Sequence, residues 1–303
     1  MAFFDLQING YAGTDFCSKD VTLEEFRHAC DALKADGIEG ILATLITDSV
    51  ESLAAKLKKM VRFREEDAVI REMVKGFHVE GPFISPVEGY VGAHPAAWVR
   101  PAEVDSAARI LEAGDGLVRL MTLAPEYDQG AATTRYLVDQ GVVVSAGHCD
   151  PDFETLKGAI DAGLSMVTHL GNGCPVVLPR HDNFIQRALS FSDRLWLCFI
   201  PDGAHVPFFA LRNYIKLAGL DRTIVTSDAI MAAGLGPGVY ELSGEPVEID
   251  VNGVARRPGS PNLAGSTIRG HQIPVNLKEH LHLGELEIDR LYRANPLKAL
   301  GLD

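Results

Sequence analysis

Gly76-Phe77-His78-Val79-Glu80-Gly81-Pro82-Phe83 runs apolar up to one carboxylate and then turns through Gly-Pro, which sets Glu80 at the C-terminal mouth of a strand. The arrangement recurs. Val142-Val143-Val144-Ser145-Ala146-Gly147-His148 and Met166-Val167-Thr168-His169 end in histidines, and Ile224-Val225-Thr226-Ser227-Asp228 ends in an aspartate. Apolar strands that each finish in a metal-binding or proton-transferring group are the pattern of a parallel barrel, whose active site collects residues from several strand ends.

Working outward, short β-branched runs occur at Phe3–Ile8, Gly40–Ile46, Val74–Val79, Val118–Leu123, Val142–Ala146, Ser165–Thr168, Trp196–Ile200 and Thr223–Thr226. Between them Leu23–Ala35, Val50–Arg64, Thr133–Gln140, Asp152–Ala162 and Pro207–Leu217 carry apolar residues at helical spacing, several behind a Thr, Ser or Asp that can cap a helix. Strands alternating with helices in this number predict an α/β fold, a (β/α)8 TIM-type barrel spanning 1–303 as one domain. Two stretches break the rhythm. Ser85–Arg100 is a long loop after the third strand. Gly234–Pro261 is rich in Gly and Pro, with a small hairpin predicted at Val239–Leu242 and Val247–Val251.

The 303 residues are 47% hydrophobic and 23% charged, enough to bury a large core. No run of about 18 apolar residues occurs, and no basic flank precedes an apolar leader, so neither a membrane span nor a signal peptide is expected. The five cysteines are odd in number and never form Cys-x-x-Cys, as expected of a reduced, cytoplasmic protein. A net charge of −13 repels nucleic-acid phosphates on average, although a local cationic pocket can still take a small anion.

Glu80, His148 and His169 come from the ends of strands three, five and six. A Glu plus two His is an open ligand set for one divalent metal, and bound Zn2+ acidifies water to a pKa of roughly 7. The alternative for each histidine is a hydrogen-bonded barrel residue, and for Glu80 a paired carboxylate; three coincident strand ends favour the ligand set. Asp228 is either a general base that later protonates a leaving nitrogen, or an N-cap of the segment behind it. His94 in the long loop and His205 after the seventh strand can reach a substrate or serve as surface or capping residues. Arg180 is either an anion clamp, since guanidinium binds phosphate through a fixed fork of donors, or a solvated loop residue. Backbone N–H groups at Asn172-Gly173 can approach a ligand closely. Cys149 and Cys174 are read as packing residues.

Taken together these residues resemble the N-acetylglucosamine-6-phosphate deacetylases of the amidohydrolase superfamily. The resemblance runs through Asp5-Leu6-Gln7-Ile8-Asn9-Gly10, His78-Val79-Glu80-Gly81-Pro82-Phe83, Gly92-Ala93-His94, Ser145-Ala146-Gly147-His148, Thr168-His169-Leu170-Gly171-Asn172, Asp202-Gly203-Ala204-His205-Val206, Ser227-Asp228-Ala229 and Leu263-Ala264-Gly265-Ser266. Gln7 and Asn9 stand where many amidohydrolases have His-x-His, which implies one metal position, most simply Zn2+, with Fe2+ or another divalent ion as alternatives. The resemblance implies that Glu80, His148 and His169 hold the metal, that Asp228 is the acid/base and that His94 polarises the acetyl carbonyl. It further implies that backbone donors at Asn172 and Gly173, with His205 and Arg180, bind the phosphate. In relatives the matching arginine reaches across a dimer interface, so a homodimer acting on an amino-sugar phosphate is expected. The family's small β-sandwich is expected to be missing here. Gly171-Asn172-Gly173-Cys174 replaces a bulkier aromatic-Asn-Ala-Met, and the segment between Glu80 and His94 is slightly longer, which would displace His94. A roomier pocket leaves open another N-acyl substrate, and a weakly catalytic sugar-phosphate-binding homologue is the alternative of another class.

Overall fold

A computed structural model of the protein describes residues 2–303. Eight parallel strands form one sheet in chain order: β1 (Phe3–Ile8), β2 (Ile38–Ile46), β3 (Val74–Glu80), β4 (Val118–Leu123), β5 (Val143–Ala146), β6 (Met166–Val167), β7 (Trp196–Phe199) and β8 (Thr223–Val225). The ring is nearly closed. Its seam is made by the parallel bridge Ile8↔Ala229 and by the Asn9 N–H donating to the Ala229 carbonyl at 2.7 Å.

The strands are apolar on both faces because both are covered. One cluster fills the barrel with Phe4, Leu6, Leu42, Leu120, Met166, Trp196, Cys198 and Ile224, and Leu300 from the C-terminal segment packs on it. A larger cluster lies between strands and helices, taking Phe3, Ile41, Ala43, Met121 and Val144 from the outward faces. Above the inner apolar layer sits a polar one. His78 Nε2 meets Thr122 Oγ1 at 2.8 Å, Thr122 meets Thr168 at 2.7 Å, and Ser145 meets Thr168 at 2.7 Å. Burial lowers His78 to about 4, so it is neutral at pH 7. Side chains two apart share a strand face, so His78 in this layer puts Glu80 one level higher, at the mouth.

The outer helices are α1 (Leu23–Ala35), α2 (Val50–Glu66), α3 (Ala68–Met73), α4 (Val104–Ala113), α5 (Ala132–Asp139), α6 (Phe153–Asp161), α7 (Phe184–Leu189), α8 (Phe208–Ala218) and α9 (Gln272–Leu281). Capping chemistry marks several starts. Thr22 and Glu25 form a capping box on α1, and Asp152 accepts from the Thr155 N–H at α6. Four of these helices, α3, α4, α7 and α9, escaped the periodicity reading. The helices α3 and α7 have six residues each, too few to show a period, and α4 and α9 follow Glu103 and His271, whose side chains make no cap bond. The sixth strand is shorter than its apolar run, because His169 leaves the ladder at φ 30°.

The Gly/Pro-rich insertion after β8 folds as an antiparallel sheet of β9 (Gly238–Leu242), β10 (Glu245–Ile249) and β11 (Ala255–Arg256). Its turn is tied to the barrel by the Ser243 N–H donating to Asp15 Oδ2 at 2.9 Å.

Candidate active site

Three of the residues that end the strands carry backbone strain. His148, His169 and Asp228 have φ of 53°, 30° and 50°, in a region that favours glycine. Each chain bends off its strand at that residue and turns the side chain into the barrel mouth; strain of this kind collects at functional sites.

Glu80 is the hub. Its Oε1 lies 2.8 Å from His169 Nε2 and 3.3 Å from His148 Nε2, and its Oε2 lies 3.8 Å from His94 Nε2. Ligand atoms of Glu80, His148 and His169 all fall within 4.8 Å of one another, and all three residues are buried. Burial works against the Glu80 charge, but the hydrogen bonds from His148 and His169 outweigh it and hold the carboxyl well below its usual range. His169 is raised by its bond to Glu80 in spite of burial.

These donors fit a divalent metal. His148 Nδ1 lies 2.8 Å from the Tyr90 carbonyl, which can only accept, so Nδ1 carries a proton, and Nε2, which donates to Glu80 without an ion, would give its lone pair to a bound metal after losing its own proton. His169 Nδ1 is buried without a hydrogen-bond partner, so no protein network claims both nitrogens of that ring. One carboxylate and two imidazoles are a donor set suited to zinc with an open position.

The amides of β1 and its extension hold the two acids. Gln7 Nε2 donates to Glu80 Oε2 at 3.1 Å, and Asn9 Nδ2 donates to Asp228 Oδ1 at 2.7 Å. Burial first, and then the Glu80 charge, raise Asp228 to about 6, the range of a proton-transferring group. The longer segment after Glu80 does not displace His94 from the site. It is buried in the mouth, and its Nδ1 receives the Thr47 backbone N–H at 3.4 Å and lies 2.7 Å from Thr47 Oγ1. A backbone donor on Nδ1 puts the proton on Nε2, and burial followed by the neighbouring His148 keeps the ring well below its ordinary pKa. His94 is therefore a neutral hydrogen-bond donor facing the cavity. Thr47 went unnoticed in the sequence because nothing there connects it to His94, 47 residues away.

The cavity over these groups has a volume of about 470 Å3 and is walled by His205, Asn172, Gly173 and the hairpin residues Leu242 and Arg256. His205 Nδ1 lies 2.6 Å from Asp202 Oδ2, leaving Nε2 for a ligand. Asn172 reaches the wall with its backbone N–H and one Nδ2 N–H donated to the His169 carbonyl, at 2.9 and 3.1 Å. Gly173 lies against the His148 ring. Arg180 is exposed and outside this cavity. Cys149 is buried and Cys174 partly so, with both thiols raised chiefly by burial, which makes them packing groups rather than nucleophiles.

No family model matches the chain. Among curated proteins it is 30% identical over 300 residues to N-acetylglucosamine-6-phosphate deacetylase of Bacillus subtilis (strain 168), a match covering 98% of this chain and 74% of that one. It is 28% identical over 304 residues to N-acetylgalactosamine-6-phosphate deacetylase of Escherichia coli O157:H7, covering 100% and 78%. Among solved structures, a Mycobacterium smegmatis N-acetylglucosamine-6-phosphate deacetylase mutant in complex with N-acetyl-D-glucosamine-6-phosphate superposes with TM-score 0.89 at 30% identity, covering 99% of this chain and 77% of that one. The Thermotoga maritima deacetylase superposes with TM-score 0.88 at 27% identity, covering 100% and 78%.

Proposed function

The chain belongs to the N-acetylglucosamine-6-phosphate deacetylase family, and from that membership we propose that it is a metal-dependent amidohydrolase that cleaves N-acetylglucosamine 6-phosphate into glucosamine 6-phosphate and acetate. The observation that carries the reading is the convergence of Glu80, His148 and His169 beside a buried Asp228 raised to about 6, within one cavity at the strand C-termini. Glu80, His148 and His169 hold one divalent ion, which we propose to be Zn2+. When bound it supplies Lewis-acid polarisation of the amide carbonyl and acidification of a water molecule.

The remaining chemistry belongs to side chains. Asp228 takes the proton of the attacking water on its carboxylate and returns it to the amine nitrogen as the C–N bond breaks. Asn9 fixes the Asp228 oxygen that does not need to move. His94, neutral and protonated on Nε2, donates to the acetyl oxygen as negative charge develops there. His205 and Gly173 line the part of the cavity assigned to the phosphate.

Arg180 joins that group from the partner of a homodimer in this proposal. Exposed Val176 and Val177, 79% and 86% accessible, lie beside it in sequence and support a covered interface at this loop. Five free cysteines support a reducing, cytoplasmic compartment, and among the described residues no helix is long and apolar enough to cross a membrane. The barrel over 1–303 acts as one catalytic domain in this reading. The relative named for N-acetylgalactosamine 6-phosphate favours the C4 epimer as the second substrate to test.

The test is acetate release from N-acetylglucosamine 6-phosphate by zinc-loaded protein, with Asp228→Asn alongside. Release from the wild type that falls by about 10²- to 10⁴-fold in the variant supports the assignment. No release from either epimer, with one metal bound per chain, would overturn the substrate.

A further inference from the structure

We infer that Arg256, on the hairpin over the cavity, is an anion-recognising residue supplied by the same chain, which reads the 6-phosphate of the substrate. This rests on the deacetylase reading above and names a specificity residue for it.

Among the described residues lining the cavity, Arg256 is the one arginine or lysine. The other charged groups there include the acids Glu80 and Asp228, in a chain of net charge −13. A phosphate dianion entering the cavity is repelled by both acids. A permanent cation in the wall offsets that repulsion, and a guanidinium also offers two donors matched to phosphate oxygens. Arg180 does not meet this need from within its own chain.

Arg256 is held in place rather than trailing in solvent. Its strand pairs Glu248↔Arg256 on one side and bridges Arg256↔Leu263 on the other, and the Ala264 N–H donates to the Ala255 carbonyl at 3.1 Å. From Ala264 the chain runs through Gly265 to Ser266, whose N–H donates to the Asp228 carbonyl at 2.9 Å. The arginine backbone is thus registered to the catalytic aspartate through a few residues of paired chain. Its side chain is 44% exposed, and the one ion pair it makes among the described residues, with Asp250, is long at 3.4 Å. Surface pairs of this kind hold weakly and exchange readily for a dianion.

The experiment compares acetate release from N-acetylglucosamine 6-phosphate and from unphosphorylated N-acetylglucosamine in the zinc-loaded wild type, Arg256→Ala, Arg256→Lys and Asp250→Asn. Arg256→Ala is expected to raise KM for the phosphorylated sugar by about 10- to 100-fold, the range of a charge-assisted hydrogen bond, with kcat/KM for the unphosphorylated sugar unchanged. Arg256→Lys recovers part of the loss. Asp250→Asn keeps the Oδ1 acceptor used by the Asn252 and Val254 amides and removes the competing charge, so it lowers KM by up to about fivefold. A merely structural arginine would not give opposite shifts. Equal losses on both sugars, or no loss on either, would overturn the assignment while leaving the deacetylase reading intact. If the wild type releases acetate from neither sugar, that reading fails by itself. Calorimetric binding of glucose 6-phosphate then decides on Arg256: binding lost in Arg256→Ala supports it, and binding absent from the wild type or retained in the variant refutes it.

Discussion

Replacing Gly173 with alanine should damage the metal site through a contact that the structure specifies. A Cβ at this position would lie 2.7 Å from His148 Nδ1, 2.9 Å from Cε1 and 3.0 Å from Cγ, against an ordinary contact of at least 3.4 Å. The ring must therefore retreat by roughly 0.7 Å, or the loop must move by as much. Retreat is opposed, because Nδ1 is bound to the Tyr90 carbonyl at 2.8 Å and Gly92 abuts the same ring. Metal–ligand distances tolerate only about 0.2 Å, so Nε2 is carried out of reach of an ion shared with Glu80 and His169. We expect metal affinity to fall about 10- to 100-fold and acetate release by about 100-fold at a fixed metal concentration. Gly173 also has φ +61°, where any side chain costs about 1–2 kcal/mol, so the control must share that strain. Gly171→Ala does, with φ +94° and no atom nearer its Cβ than Ile185 Cδ1 at 4.0 Å. Competition with a zinc-sensitive dye on both variants separates the two effects. Unchanged affinity in Gly173→Ala, or equal losses in both, would refute the argument from the ring.

Other outcomes follow from single groups. Glu126 is raised from 4.5 to about 7, first by burial, with Oε2 lacking a partner. The folded state then holds its proton more tightly than the unfolded chain does, so the contribution of this one group to stability is greatest below pH 4.5 and declines as pH rises to about 7. Glu126→Gln should remove that part of the decline in melting temperature across the window. Stripping the metal with a chelator should abolish acetate release and lower the melting temperature. Zinc at about 100 times its Kd should restore roughly 2.7 kcal/mol, a gain that Glu80→Gln should lack. Tyr292→Phe removes a buried hydroxyl donor 3.0 Å from Asp5 Oδ2 at the barrel wall. Its urea midpoint should fall by the equivalent of about 1–2 kcal/mol without changing metal affinity.

The eight strands and the positions of Glu80, His148, His169 and Asp228 were legible in the sequence, because each reading depended on neighbours in the chain. A strand buried on both faces must be continuously apolar, and a polar residue that ends such a run stands at its mouth whatever the rest of the molecule does. The hairpin after β8 was legible too, displaced by two residues in its second strand, since Gly and Pro density marks turns but not register. Tertiary structure decided what those residues do to one another. The proton on His148 Nδ1 follows from Tyr90, the tautomer of His94 from Thr47, and the raised Asp228 from burial together with Glu80. None of these partners is adjacent in sequence, and hydrogen bonds and desolvation act over a few ångströms of space. The same limit hid Arg256. As a sequence it is one arginine in a Gly- and Pro-rich loop, and only the pairing of its strand with Leu263 and Ala264 brings it over the acids of the cavity.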